Sequence, residues 1–295
     1  MTELYLGDCL DVMKGMDSGV VDLVLTDPPY NINHSGLEWD LIKNYDAFMM
    51  ERFKEAYRVL KSNGSMYFFH NDFKQMASLQ VNIEKETRFR FQRFLTITKD
   101  SYILKMFPNS KSWIPCCEYV LVYTKHENRE TEQIDYFKGL HKQIGLSKSQ
   151  IKKDIPEADH AFRVSINNFA LPTQETYDKL ISLYNLKDCK PLSELRDLRR
   201  PLQYTYNGKS QANYMKVDFK SNKLTSHPCE KPQDLLRNLI MTASNEGEVV
   251  LDMFMGSGST GKACVDTNRH FIGIEKNQTY FKESQDLLLS HSMIE

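Results

Sequence analysis

The chain lacks the features that would place it outside ordinary folded proteins. It has no apolar run near the ~18 residues a bilayer-spanning helix requires, and its mean hydropathy is -0.51. Met1-Thr2-Glu3 runs directly into Leu4-Tyr5-Leu6, without the basic start and apolar core of a secretory signal. A cytoplasmic, membrane-free protein is expected. Cysteine is sparse. Cys9, Cys116, Cys117, Cys189, Cys229 and Cys264 form no Cys-x-x-Cys pair and no Cys/His cluster at zinc spacing. Neither a metal centre nor a disulfide framework is therefore expected, and the thiols read as reduced and structural. Internal repeats and low-complexity tracts are absent. So is an excess of either charge, since the formal net charge is -1.

The charge is nevertheless uneven. Between Lys138 and Ser226 there are 16 Lys+Arg against 9 Asp+Glu, and the remainder holds 22 against 30. A basic middle in an acidic chain reads as a nucleic-acid surface or as a solvated basic face.

Hydrophobic patterning supplies the architecture. Apolar runs predict strands at Val20–Leu25, Ser65–Phe69, Phe91–Thr98, Glu118–Tyr123, Val249–Asp252 and Arg269–Glu275, with a short strand near Tyr5. Helical spacing predicts helices over Asp11–Met16, Asp46–Leu60, Phe73–Glu86, from Gln233 to about Ser244, and over Gln278–Ser290. Asp46 is expected to cap its helix, and Gly64 to stop it with a positive φ. Strands alternating with helices imply an α/β fold with a doubly wound, mostly parallel sheet. Residues 126–226 differ in texture, being polar and basic. They hold short helices behind Ser147 and Pro172-Thr173, then Arg196, Arg199, Arg200, Tyr204 and Tyr206. The expected division is 1–125, an insertion at 126–226, and 227–295.

Two stretches carry chemistry. Thr26-Asp27-Pro28-Pro29-Tyr30-Asn31 follows a buried strand. The prolines lack amide hydrogens, so they end the strand and stiffen the turn. An acid and a ring are left where open α/β sheets bind ligands. The second is Asp252-Met253-Phe254-Met255-Gly256-Ser257-Gly258-Ser259-Thr260-Gly261, a glycine-rich turn opening a helix. The next strand ends in Glu275, 19 residues after Gly256, a spacing that suits two ribose hydroxyls. On geometry alone this unit takes a dinucleotide or S-adenosylmethionine.

With Leu6-Gly7-Asp8-Cys9-Leu10, His227-Pro228-x-x-Lys231-Pro232 and Phe271-Ile272-Gly273-Ile274-Glu275, these stretches make the chain resemble the S-adenosylmethionine-dependent DNA amino-methyltransferases. The arrangement is their circularly permuted β group, with the catalytic half first. The resemblance covers residues 4–125 and 227–290. It departs at Met253, where the family usually has Pro, and near Thr98, where the family tends to have Trp. It implies a class I methyltransferase, Rossmann-like core with a small helical target-recognition insertion.

The resemblance also implies roles. Asp27 and the Pro28 carbonyl would accept the two hydrogens of an exocyclic amine, in a turn held by Pro29. Tyr30 would stack on a base flipped out of the duplex. Asp252, Gly256 and Gly258 would line the methionine part of S-adenosylmethionine, beside Phe254. Ser257 and Thr260 would contact its carboxylate and Lys231 would lie near it. Glu275 would hold the ribose, and Asp8 with Cys9 the adenine. Lys99 resembles a lysine beside the target-base pocket. Lys148, Arg196, Arg199 and Arg200 are expected DNA contacts. Double-stranded DNA is the implied partner, with a homodimer and a cognate restriction endonuclease left open. No catalytic cysteine is expected. Asp27, where cytosine enzymes mostly carry Ser, favours adenine N6 over cytosine N4. An inactive nucleic-acid-binding module and a dehydrogenase are the rivals from other classes.

Overall fold

The computed structural model describes residues 1–32, 40–99, 111, 116–125, 129–163, 169–198, 205–206, 209–210, 212–217 and 230–289. Two separately packed units are present, Met1–His126 with Leu202–Glu295, and Glu127–Pro201.

The first unit begins with β1 (Thr2–Leu6), α1 (Cys9–Lys14), β2 (Val21–Thr26), α2 (Tyr45–Val59), β3 (Leu60–His70) and α3 (Phe73–Glu86). β4 (Arg90–Thr98) and β5 (Cys117–Thr124) close its first half. After the second unit come the short β6 (Thr205–Tyr206), β7 (Lys209–Ser210) and β8 (Tyr214–Lys216). Then follow a helix at Gln233–Ala243, β9 (Val249–Asp252), a helix at Ser259–Asp266, β10 (His270–Glu275) and a helix at Gln278–Leu289. The second unit holds α4 (Arg129–Ile144), α5 (Lys148–Asp154), a 3₁₀ turn at Pro156–Phe162, α6 (Gln174–Tyr184) and α7 (Leu192–Leu198). The three later helices are accordingly α8, α9 and α10.

The main sheet has eight strands in the order β1-β10-β9-β2-β3-β5-β4-β8. β5 runs antiparallel to β3 and β4, and every other pairing is parallel. β2 is buried along its whole length, so Val21-Asp22-Leu23-Val24-Leu25 reads as a near-continuous apolar run. Side chains of β3 alternate between two cores. Met66 and Phe68 pack with α1, α2 and α3, while Tyr67 and Phe69 pack with α8, α9 and Leu288 of α10. Helices therefore cover both faces, the doubly wound arrangement that the sequence implied.

Three local expectations change. Asp46 does not cap α2. Asn44 is the N-cap residue, and Asp46 instead accepts hydrogen bonds from Ser78 and Asn82 of α3. Gly64 is not among the glycines with positive φ. It lies within β3, where the register against β2 shifts between Val21 and Leu23. A Cβ there would come 3.0 Å from the Lys61 carbonyl and 3.1 Å from that of Asp22, so close backbone approach explains the glycine. The insertion is also shorter than 126–226. Its packed unit ends at Pro201, and β8 adds to the sheet edge because Met215 and Val217 pack onto the core.

The second unit has its own core, including Phe137, Leu140, Ile151, Phe162, Tyr177 and Leu180. Ser147 and Thr173 cap α5 and α6 as expected. Among the described residues no helix is long and apolar enough to cross a membrane, and no metal-ligand cluster occurs.

Candidate active site

Strand direction assembles the site. β1, β10, β9, β2, β3 and β4 share one direction, so their C-terminal ends meet at one edge of the sheet. β5 runs the other way and delivers its beginning to that edge. Asp8, Asp27, Lys99, Asp252 and Glu275 follow or end parallel strands, and Glu118 starts the reversed one. All six line a cavity of about 700 Å³, within the usual size of small-molecule sites.

The turn after β2 is held from behind. The Tyr30 hydroxyl donates to Asp27 Oδ1 at 2.7 Å, and its ring stacks on His70 with centroids 4.9 Å apart. His70 is fully buried at the end of β3. Its Nδ1 accepts from the amides of Asn71 and Asp72 at 3.0 and 3.1 Å. The Tyr45 hydroxyl donates to the Pro29 carbonyl at 2.7 Å and lies 3.1 Å from His70 Nε2. His70 is thus neutral with its hydrogen on Nε2, and burial lowers its pKa to about 4. Asp40 fixes the next step of the turn by accepting from the amides of Asn31 and Ile32.

Asp27 belongs to a chain of alternating charges. Lys231 donates to Asp27 Oδ2 and lies 3.7 Å from Glu118 Oε2, while Lys99 donates to Glu118 Oε1. Lys231 and Glu118 keep only 7% and 9% of their side chains exposed. Burial alone would raise the Glu118 pKa, but the ammonium groups of Lys231 and Lys99 outweigh it and hold the carboxyl below its ordinary range. Lys231 also lies over the Phe69 ring at 5.0 Å, a cation–π contact.

The other side of the cavity carries the glycine-rich turn. Gly256 takes φ +54° and donates its amide to Glu275 Oε2 at 2.9 Å. Asn277 donates to Glu275 Oε1 at 2.6 Å. Burial raises the Glu275 pKa, partly offset by these amides. Asp252 accepts from Thr26 Oγ1 at 2.8 Å, from the Phe254 amide at 3.1 Å and from Thr260. Complete burial raises its pKa to about 6. Asp8 accepts both bonds of a forked pair with Arg52 at 2.7 and 2.8 Å, and the Arg52 guanidinium lies 3.5 Å over the Phe48 ring.

The model of one protein family, described as DNA methylase, matches residues 21–286 and so spans both halves of this cavity. The chain belongs to that DNA methylase family. Its members are S-adenosylmethionine-dependent DNA amino-methyltransferases. The DNA adenine methyltransferase YhdJ of Escherichia coli K12 is 27% identical, over 94% of this chain and 79% of its own. The solved M1.HpyAVI–SAM complex is 18% identical with a TM-score of 0.58, covering 98% and 99% of the two chains. The cytosine-N4-specific PvuII DNA methyltransferase is 14% identical with a TM-score of 0.60, covering 97% and 86%. The shared fold is that of the class I methyltransferases.

Within this DNA methylase most of the expected site residues lie together. Asp27, Pro28, Pro29, Tyr30, Asp8, Cys9, Lys99, Lys231, Asp252, Phe254, Gly256, Ser257, Thr260 and Glu275 all line the cavity. Gly258 does not. It takes φ +84°, and a Cβ on it would sit 2.9 Å from Ser284 Cβ, so the glycine serves packing against α10. Cys9 is buried, and burial pushes its thiol up to about 12, which fits no nucleophilic role. Lys231 is not a helix-start lysine in solvent but a buried cation paired with Asp27. Lys148 is the first residue of α5 in the second unit and is exposed. Arg199, Arg200 and the side chain of Arg196 lie outside the described residues, as does His227. Glu118, Arg52, His70, Tyr45 and Asp40 carried no role in the sequence reading. Glu118 left one signal, an acid opening an otherwise apolar strand.

Proposed function

We propose that this DNA methylase methylates the exocyclic N6 amine of an adenine flipped out of double-stranded DNA. Asp27 carries the reading. Its carboxylate lines the same cavity as Asp252, Gly256 and Glu275, so one space serves both an amine acceptor and a cofactor cradle. The residues present fit S-adenosylmethionine. Glu275 would take the ribose, the turn at Gly256-Ser257 the amino-acid end, and Asp8 with Cys9 the adenine. When bound, S-adenosylmethionine supplies an electrophilic methyl group.

The chain's own work is positioning. An exocyclic amine is a poor nucleophile because its lone pair is delocalised into the ring. The Asp27 carboxylate and the Pro28 carbonyl accept its two hydrogens, which frees that lone pair. The stiff Pro28-Pro29 turn, tied to Tyr45 through the Pro29 carbonyl, holds both acceptors. Tyr30 supplies a ring for the flipped base. Asp27→Ala is expected to lower transfer by at least ~10²-fold while cofactor binding stays nearly intact. Labelled-methyl transfer and calorimetry together check this, and near-normal turnover would overturn the mechanism. Glu275→Ala is expected to weaken cofactor binding by roughly tenfold or more, through two lost hydrogen bonds to a charged group.

Asp27 rather than Ser supports adenine. Nucleosides separated from DNA methylated by the chain decide the base, and N4-methylcytosine without N6-methyladenine would replace this reading with the cytosine one. Lys99, Lys148, Arg196, Arg199 and Arg200 are proposed DNA contacts. Replacing any of the last four by Ala is expected to weaken DNA binding and flatten its salt dependence.

A further inference from the structure

Both oxygens of Asp27 already accept a hydrogen bond before any substrate is considered. Oδ1 accepts from the Tyr30 hydroxyl and Oδ2 from Lys231. An amine that donates to Asp27 must therefore share the carboxylate with these donors, and at Oδ2 it competes with the Lys231 ammonium. Lys231 has somewhere to go. Glu118 Oε2 is buried, faces its ammonium as an ion pair across 3.7 Å, and has no closer donor among the described residues. A buried carboxylate oxygen left unmatched is costly. The separation exceeds a charge-assisted hydrogen bond by about 1 Å, which rotation of the lysine stem covers.

We infer that Glu118 is a positioning residue that offers Lys231 a second seat, so that the ammonium moves from Asp27 Oδ2 to Glu118 Oε2 as the target amine takes Asp27. The inference rests on the role of Asp27 proposed above. Both seats lie within one set of two carboxylates and two ammonium groups. The exchange therefore buries no new net charge, which would be expensive in the interior. Lys99 fixes the other Glu118 oxygen and keeps the carboxylate aimed at Lys231. The reversed direction of β5 makes this possible, because it puts the start of that strand, not its end, beside Asp27.

The test compares the wild-type chain with Glu118→Gln, Lys231→Met and the double variant. Single-turnover methyl transfer at limiting and saturating DNA, cofactor binding by calorimetry and thermal unfolding are measured. Glu118→Gln is expected to slow single turnover by ~10-fold or more, with cofactor affinity changed by less than ~2-fold. Lys231 then stays on Asp27, so the loss persists at saturating DNA. In the Lys231→Met background Glu118→Gln should cost nothing further. A wild-type rate for Glu118→Gln, a loss that disappears at saturating DNA, or full additivity in the double variant overturns the inference. If Glu118→Gln does not fold, Glu118→Asp, which keeps the charge but shortens the reach, carries the same expectations. A wild-type chain that transfers no methyl overturns the reading of Asp27 and this inference together. An active wild type with an indifferent Glu118→Gln overturns this inference alone.

Discussion

At the scale of single residues, ionisable groups are buried where compensation is at hand. Lys231 is tolerated because Asp27 and Glu118 surround it. Asp252 departs from this, buried with neutral donors and no cation paired to it among the described residues. Its pKa of about 6, against an ordinary 3.8, means that the folded protein binds this proton more tightly than the unfolded chain. The contribution to stability is then fully present below about 3.8 and lost as the pH rises through about 6. Asp252→Asn is therefore expected to be more stable than the wild type at pH 7, by on the order of 2–3 kcal/mol. The gap should narrow as the pH is lowered toward 4, and urea unfolding at both pH values checks it. His70 has the opposite sign. Its pKa falls from 6.5 to about 4, so its contribution is present above 6.5 and lost as the pH falls through about 4.

At the scale of elements, the glycine-rich turn divides its glycines between two tasks. Gly256 lines the cavity and gives its amide to Glu275. Gly258 and Gly261 make room for neighbours. A Cβ on Gly261 would lie 2.6 Å from the Phe271 ring and 2.8 Å from Leu288. Gly261→Ala is expected to cost ~1–3 kcal/mol through overpacking, read as a lowered Tm. Gly139 in α4 is the contrast, since no described residue lies within 4 Å of its Cβ position. Gly139→Ala should stabilise by roughly 0.5–1 kcal/mol through helix propensity. Spacing alone cannot separate these cases, because ligand-facing and packing glycines look alike until the partner helix is in place. Outside 126–226 most strands and helices were legible with ends shifted by a residue or two, but β3 begins five residues before its expected start and α4 and α7 were not expected. Gly64 and Asp46 were misread because the close approach of β2 and the partners on α3 are tertiary facts.

At the scale of the molecule, the Glu127–Pro201 unit carries a core of its own with capped helices. Expressed alone, those residues are expected to give a helical circular dichroism signal and one cooperative thermal transition. A non-cooperative melt would show that the unit depends on the rest of the chain. The sequence changes texture after Lys125, one residue before this unit starts at Glu127. The boundary at 201 was not readable, because β8 is only three residues long and gains its strand character from pairing with β4.

By itself the sequence determined the strand-and-helix order of the two core halves, the two motifs and their family, because buried parallel strands, rigid prolines and glycine spacing are local and periodic. Only the tertiary structure decided that Lys231 is buried on Asp27, that Arg52 holds Asp8, and that Glu118 joins them. Those partnerships depend on which strand ends meet at one edge of the sheet. The reversal of β5, which brings Glu118 there, is a property of pairing with β3 and β4 and not of any residue in its own run.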